Sequence, residues 1–389
     1  MKKLMTILAA LLCFWLSLPA QELPSYFLEN NYLQERLRQV PKGKHFLFIT
    51  DYHQERSTHT STAVLSYVKQ QLGIDRIVFG GDCYDAARTP ETAAVKLGKY
   101  FDLLYGIFGN GLIWVQGNHD CNSQAIKQYG LTPEQALVAD SLCYALTVGK
   151  FTDNRHFDEP MLERYRSKPG LSPTDRAEAL AWIKMHYWLD DPALKIRFIV
   201  FETNDRGYTS RHAVRGRNLF QEQIPFLEEA LKTTPRGYTA VVAGHQMGSY
   251  PVGIPSKSYH ECIIQAVARY RAATGNRVLL IGGHQHRDDA LLYRSEGESF
   301  LQEEHPAGCA VGKGDVLVVW TNRDTWRGRS TDAKWAGREF KIFHADSPEM
   351  KKGTCEEICF DIVTLTRKGV VFTRIGAGAA PERTFIWKK

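Results

Sequence analysis

Five apolar runs in this chain each end in side chains that bind hard or borderline metal ions. HFLFIT is followed by Asp51 and His53, and RIVFGG by Asp82 and Asp85. LIWVQ is followed by Asn118, His119 and Asp120, TAVVAG by His245, and RVLLIGG by His284 and His286. Mixed carboxylate, amide and imidazole donors suit Mn, Fe or Zn better than Ca or Mg. Alternate residues of an extended segment point the same way. Asp51 and His53 can therefore clamp one ion. His284 and His286 can do the same, or each can reach a neighbouring ion. Gly81, Gly117, Gly244 and Gly283 stand just before ligands, where a residue without Cβ lets the backbone approach an ion closely.

These groups need elements that bring them together. The runs His45–Thr50, Arg76–Phe79, Leu112–Gln116, Ile196–Phe201, Tyr238–Ala243 and Val278–Ile281 read as buried strands. Amphipathic stretches near Ser61–Leu72, Glu91–Leu104, Leu219–Lys232 and Glu261–Ala273 alternate with them. Strands alternating with helices imply an α/β domain. In open α/β sheets the carboxyl ends of the strands line one crevice where ligands bind, so five separate segments deliver polar groups to one place. Residues 143–195 are charged, with a helical stretch near Thr174–His186, and read as an insertion between core strands. After Ala290 the helices stop. Asp315–Thr321, Glu339–His344, Ile358–Thr366 and Val370–Ile375 read as strands, the last two flanking a hairpin turn at Arg367-Lys368-Gly369.

In this order, D-x-H, G-D-x-x-D, G-N-H-D, a later G-H and a final G-H-x-H resemble the calcineurin-like metallophosphoesterases over roughly Lys44 to Arg287. The resemblance implies a sandwich of mixed β-sheets flanked by helices, with a β-rich C-terminal extension outside the motifs. It implies one metal ion on Asp51, His53, Asp82 and His286, and a second on Asp82, Asn118, His245 and His284, with Asp82 bridging. Two ions ~3.5–4 Å apart can clamp a phosphoryl oxygen and lower the pKa of a bridging water that attacks phosphorus. His119 would then stabilise developing charge or protonate the leaving group. Asp120 beside it would orient that imidazole or raise its pKa. Asp85 fits a supporting hydrogen-bond partner better than a ligand. A purple-acid-phosphatase arrangement would place a metal-binding Tyr where Asp85 stands, and Tyr84 lies one residue early.

Other residues take plainer readings. His45, His59, His156, His186, His212, His260, His305 and His344 read as surface or core histidines. Cys83 reads as packing behind the bridging carboxylate. Arg206 and Arg211, with Asn204, Arg215 and Arg217, follow a core strand and are candidates to hold a terminal phosphate; a solvated basic loop is the reading slightly preferred. Gly308–Gly314 is one residue short of a phosphate loop and lacks the Ser/Thr after Lys313. No G-x-S-x-G occurs. Trp320, Trp326 and Trp335 among Arg323, Arg327 and Arg329 could stack a base or sugar, but a packed loop accounts for them.

Composition sets the outer bounds. With 389 residues, 43% apolar and 24% charged, the chain is neither disordered, collagenous nor a coiled coil. Residues 1–20 read as a secretory signal: Lys2 and Lys3, an apolar run, then Pro19-Ala20, too short to span a bilayer. Export is therefore expected, to the periplasm or medium, with cleavage after Ala20 and no transmembrane segment in the mature chain. The net charge of +6 would lose two positive charges with that signal. It suits a phosphorylated substrate but argues against a nucleic-acid partner. Export makes disulfides admissible for the cysteines after Cys13. Cys355 and Cys359 look like a pair, yet four strand steps would hold them ~13 Å apart, so pairing requires Cys355 in the preceding loop. The organisation expected is signal 1–20, N-terminal segment 21–43, catalytic domain 44–295 and extension 296–389. The activity expected is hydrolysis of a small or medium phosphate mono- or diester by two di- or trivalent ions. A secreted nucleotidase ranks second, because the tail after His286 is short for it. A non-catalytic phospho-ligand binding protein ranks last, because no motif ligand is missing.

Overall fold

The computed structural model describes residues 22–53, 58–203, 222–247, 257–284, 286, 288–296, 299–304, 310–321, 350–378 and 382–388. The signal candidate, Arg206, Arg211 and the strand expected at Glu339–His344 lie outside these residues.

The strands, numbered in chain order, make two mixed sheets among the described residues. In the first, β1 (Lys44–Ile49), β2 (Ile77–Phe79) and β3 (Leu112–Trp114) run parallel. β1 pairs antiparallel on its other side with β13 (Cys359–Leu365), and β14 (Gly369–Gly376), β15 (Glu382–Trp387) and β11 (Ala310–Val311) continue outward. In the second, β6 (Ile196–Val200), β7 (Thr239–Ala243), β8 (Val278–Gly282) and β12 (Val316–Trp320) run parallel. β5 (Tyr187–Asp191) and β4 (His156–Phe157) extend one side, β9 (Asp289–Glu296) and β10 (Ser299–Glu304) the other.

The two sheets pack face to face. Phe46 and Phe48 of the first and Phe198, Val241, Leu279 and Val319 of the second share one buried cluster. Phe46 meets Phe198 edge to face with centroids 5.4 Å apart. Strand alternation sends the next residues outward. Ile199, Val242, Leu280 and Val318 join a second cluster with Phe226, Leu227, Ile263 and Val267, from the helices Ile224–Lys232 and Lys257–Thr274. On the outer face of the first sheet lie the helices Thr58–Leu72 and Pro90–Phe108. The latter starts where the sequence says it should, with Thr89 accepting from the Thr92 N–H and Pro90 at the first turn, and it stops at Gly109 with φ 54°. No described helix is long and apolar enough to cross a membrane.

The α/β expectation holds for the strands and helices named from the ligand runs, within a few residues at their ends. β4, β5, β9, β10, β11 and β15 were not anticipated. β5 lies inside the stretch read as an insertion and pairs antiparallel with β6 along its whole length, so that stretch contributes to the second sheet as well as the helix Pro173–Ile183. Cys355 opens a short 3-10 turn, and its thiol donates to the Tyr26 carbonyl at 2.9 Å.

Candidate metal centre

The motif residues sit just past the carboxyl ends of β1, β2 and β3 in one sheet and β7 and β8 in the other. The crevice is therefore the seam between two sheets. Among the hydrogen bonds that cross it, His245 Nδ1–H donates to the Gly80 carbonyl (2.7 Å), and the His284 backbone N–H donates to Asp51 Oδ2 (2.8 Å).

The backbone here departs from the extended path assumed from sequence. Asp51, His53, Asp82, His284 and His286 all have positive φ, between 43° and 69°. For residues with a Cβ this left-handed region costs about 1–3 kcal/mol each. Asp51 and His53 thus meet because both residues turn, not because a strand alternates. Close approach adds to the constraint. A Cβ at Gly117 would overlap Asp82 Oδ1 and the Asp82 nitrogen, and one at Gly283 would overlap Thr50 Oγ1 and Asp51 Oδ2.

Three groups of possible ligands result among the described residues; two match the expected sets, one of Asp51, His53, Asp82 and His286 and the other of Asp82, His245 and His284, and a third brings His53, Asp85 and His119 together. His284 and His286 are thereby divided between the groups. In the first, His286 Nε2 lies 3.1 Å from Asp51 Oδ1 and 2.8 Å from His53 Nε2. In the second, His245 Nε2 lies 3.1 Å from both Asp82 Oδ2 and Asn118 Oδ1, which places the Asn118 carbonyl at that group. The Gln246 amide also reaches Asn118 Oδ1, at 3.4 Å.

Asp82 belongs to both groups. Its Oδ1 accepts from the His119 backbone N–H at 2.8 Å. Its Oδ2 is buried, as is Asp51 Oδ1, and imidazole nitrogens stand beside them, His245 Nε2 at the former and His286 Nε2 at the latter, each 3.1 Å away. A buried carboxylate oxygen needs a donor or a cation to offset its burial. Here each faces imidazole nitrogens, the arrangement a cation would satisfy. The electrostatics agree. Burial pushes the Asp51 and Asp82 carboxyls up, but His286 and His53 beside the former, and His119 and His245 beside the latter, hold both well below the carboxylate range. Burial, reinforced by charge on His245, lowers His284 to about 3, leaving that imidazole neutral with a lone pair to give. Burial would lower His245 too, but Asp82 outweighs it and raises it to about 10, so positive charge is favoured beside Asp82 Oδ2. The residues fit a pair of metal ions.

His119 is part-exposed at the centre. Its Nδ1 faces the Asp85 backbone carbonyl and its Nε2 stands 3.6 Å from Asp82 Oδ2. The Asp85 carboxylate lies 3.1 Å from His53 Nδ1, behind that ligand, where a carboxylate orients an imidazole and raises its basicity. Asp120 requires a correction. It does not touch the His119 ring. Its Oδ2 accepts from the Gly117 and Asp82 N–H groups (2.6 and 3.1 Å), and its Oδ1 from the Cys83 N–H (2.7 Å). Its own turn folds the side chain back over the strand ends, and the Asp85 carbonyl takes the place it was expected to fill. Burial and nearby Asp82 raise Asp120 to about 6, against those three donors. Thr50, whose hydroxyl donates to Asp51 Oδ2 at 2.8 Å, was not singled out from sequence; a hydroxyl just before a ligand Asp was the available signal.

The chain matches the model of the calcineurin-like phosphoesterase family over residues 44–288. It belongs to that family, whose two-metal centre the seven ligand candidates would build. Among solved structures it is similar to a dimetal phosphatase from Danio rerio, at 11% identity over 90% of this chain and 100% of that one, TM-score 0.44. It is also similar to GAP50, described as the anchor in the inner membrane complex of Plasmodium, at 10% identity over 90% of each, TM-score 0.46. A third is PhoD, at 12% identity over 89% of this chain and 69% of that one, TM-score 0.46. No curated protein matches this chain by sequence.

Proposed function

We propose that this chain is an exported phosphoesterase that hydrolyses phosphate mono- or diesters at two metal ions. The observation that carries the reading is the Asp82 carboxylate: buried, faced by imidazole nitrogens, and shared by two ligand groups. Asp51, His53, Asp82 and His286 would hold one ion, and Asp82, Asn118, His245 and His284 the other. When bound, such ions supply Lewis-acid polarisation of the phosphoryl group and a nucleophilic water at neutral pH. The protein's own part is positioning and proton handling. With Nδ1–H donating to the Asp85 carbonyl, His119 keeps Nε2 toward the centre, where a proton on that atom can pass to the departing oxygen. Asp85 orients His53, and Asp120 holds the loops that carry Asp82 and Asn118. Arg206 and Arg211 add positive charge to the chain after β6 and are candidates for the substrate phosphate, second to the solvated basic loop they read as. The basic, apolar N-terminal stretch supports export, which N-terminal sequencing of the mature protein tests.

The deciding experiment compares Asp82→Asn and His119→Asn on aryl phosphate mono- and diesters with Mn, Zn or Fe supplied. Asp82→Asn should lose both activity and bound metal. His119→Asn should keep metal but lose most turnover, more so with phenolate than with nitrophenolate leaving groups. Full activity of Asp82→Asn refutes the assignment. Metal bound with no hydrolysis of any ester by wild type favours a phospho-ligand binding protein.

A further inference from the structure

The segment bearing His284 and His286 is held from the far side by a buried ion network outside the ligand motifs. Asp288, two residues past His286, has a side chain only 7% exposed. Arg374 of β14 grips both its oxygens, Nη1 donating to Oδ2 (2.7 Å) and Nη2 to Oδ1. The same guanidinium donates from Nε to Asp361 Oδ1 (3.0 Å), from Nη2 to Asp361 Oδ2 (3.2 Å) and from Nη1 to the Ala377 carbonyl (2.8 Å). All five of its N–H groups are thus used, which only the planar fork of Arg allows. Asp361 sits on β13 opposite Phe48 of β1, three residues before Asp51. Arg383 completes the charge balance from β15, donating to Asp361 Oδ2 (2.6 Å) and the Trp320 carbonyl (2.6 Å), but it stands 3.9 Å from Asp288.

Among the described residues of the ligand segment, His284, His286 and Asp288 lie outside helix and strand. The His284 N–H is tied to Asp51, and Asp289 pairs with Trp320 at the start of β9. His284 and His286 lie between them with φ of 69° and 53°, a shape that persists only when its surroundings impose it. We propose that Arg374, through Asp288, is a positioning residue of the metal centre: the C-terminal extension fixes the loop that presents His286 to Asp51 and His53. This rests on the two-metal reading of the site.

The test is Co(II) titration of the metal-stripped full chain, followed by its visible absorption, beside thermal unfolding of the same samples. Arg374→Lys keeps the charge but cannot hold both carboxylates. It should bind one of two Co(II) ions at least tenfold more weakly while the other is unchanged. Arg383→Lys is the comparison for a purely structural role: it should lower the unfolding temperature and leave both Co(II) affinities at the wild-type value. Asp288→Asn keeps one acceptor oxygen; it should weaken the same ion and decides the matter if Arg374→Lys does not fold. Wild-type affinity for both ions in folded Arg374→Lys, or in Asp288→Asn, overturns the proposal, as does equal weakening of both ions in Arg383→Lys. Failure of the wild type to bind two Co(II) ions refutes the two-metal reading instead.

Discussion

Asp120→Asn separates two accounts of the residue beside the candidate catalytic histidine. The carboxylate accepts three backbone N–H groups, from Gly117, Asp82 and Cys83, and is wholly buried. Asn retains one acceptor oxygen and puts an NH2 where the other stood. Whichever way the amide turns, at least one N–H is left facing a donor. A buried donor without a partner costs about 1–3 kcal/mol. Neutralising the side chain also removes repulsion with Asp82, which offsets part of this, so the net loss should be about 2 kcal/mol. Because the freed amides belong to Asp82 and to the glycine before Asn118, metal affinity should fall with it. Urea unfolding of the metal-free protein gives the stability. Metal content and aryl-phosphate turnover give the rest, and turnover should return when metal is supplied in excess. If Asp120→Asn is as stable and as metal-loaded as wild type, yet slow at every metal concentration, Asp120 acts on the His119 ring and the present reasoning is wrong.

Two further outcomes follow from named contacts. Gly117→Ala should displace Asp82, since a Cβ there overlaps its carboxylate and nitrogen; elemental analysis should find less than half the wild-type metal, and a fully loaded variant would contradict the packing. Burial pushes Asp361 up, but Arg374 and Arg383 outweigh it and hold it at about 2 against an ordinary 3.8. A depressed carboxylate contributes stability above its unfolded pKa and loses it as pH falls, so about 2 kcal/mol should disappear between pH 4 and pH 2. Asp361→Asn should be less stable than wild type at pH 5, with the gap closing toward pH 2; a gap that is constant with pH would refute the assignment.

Much of the site was legible because its ligands are local punctuation. Each follows an apolar strand within a few residues, and residue type and order survive as text. The helices expected near Glu91–Leu104 and Thr174–His186 begin at Pro90 and Pro173, behind the caps Thr89 and Ser172, because a cap is a short-range hydrogen bond. What escaped depends on partners far along the chain. β9, β10 and β15 were missed because their pairing, not their own pattern, makes them strands. Asp120 was misplaced because proximity in sequence to His119 suggested contact in space, whereas the turn aims the carboxylate at amides of the loop after β2 as well.

The sequence by itself determined the inventory: seven ligand candidates, an α/β frame and the class of chemistry those donors permit. The resemblance of the motifs implied how that inventory is divided, and only the tertiary structure supplied the backbone shape that divides it. His286 goes to Asp51 and His284 to His245 with the backbone at both histidines in the left-handed region. That turn is held by a guanidinium 86 residues away from Asp288. No local pattern encodes such a shape, since it costs free energy where it occurs and is sustained by contacts made elsewhere in the fold.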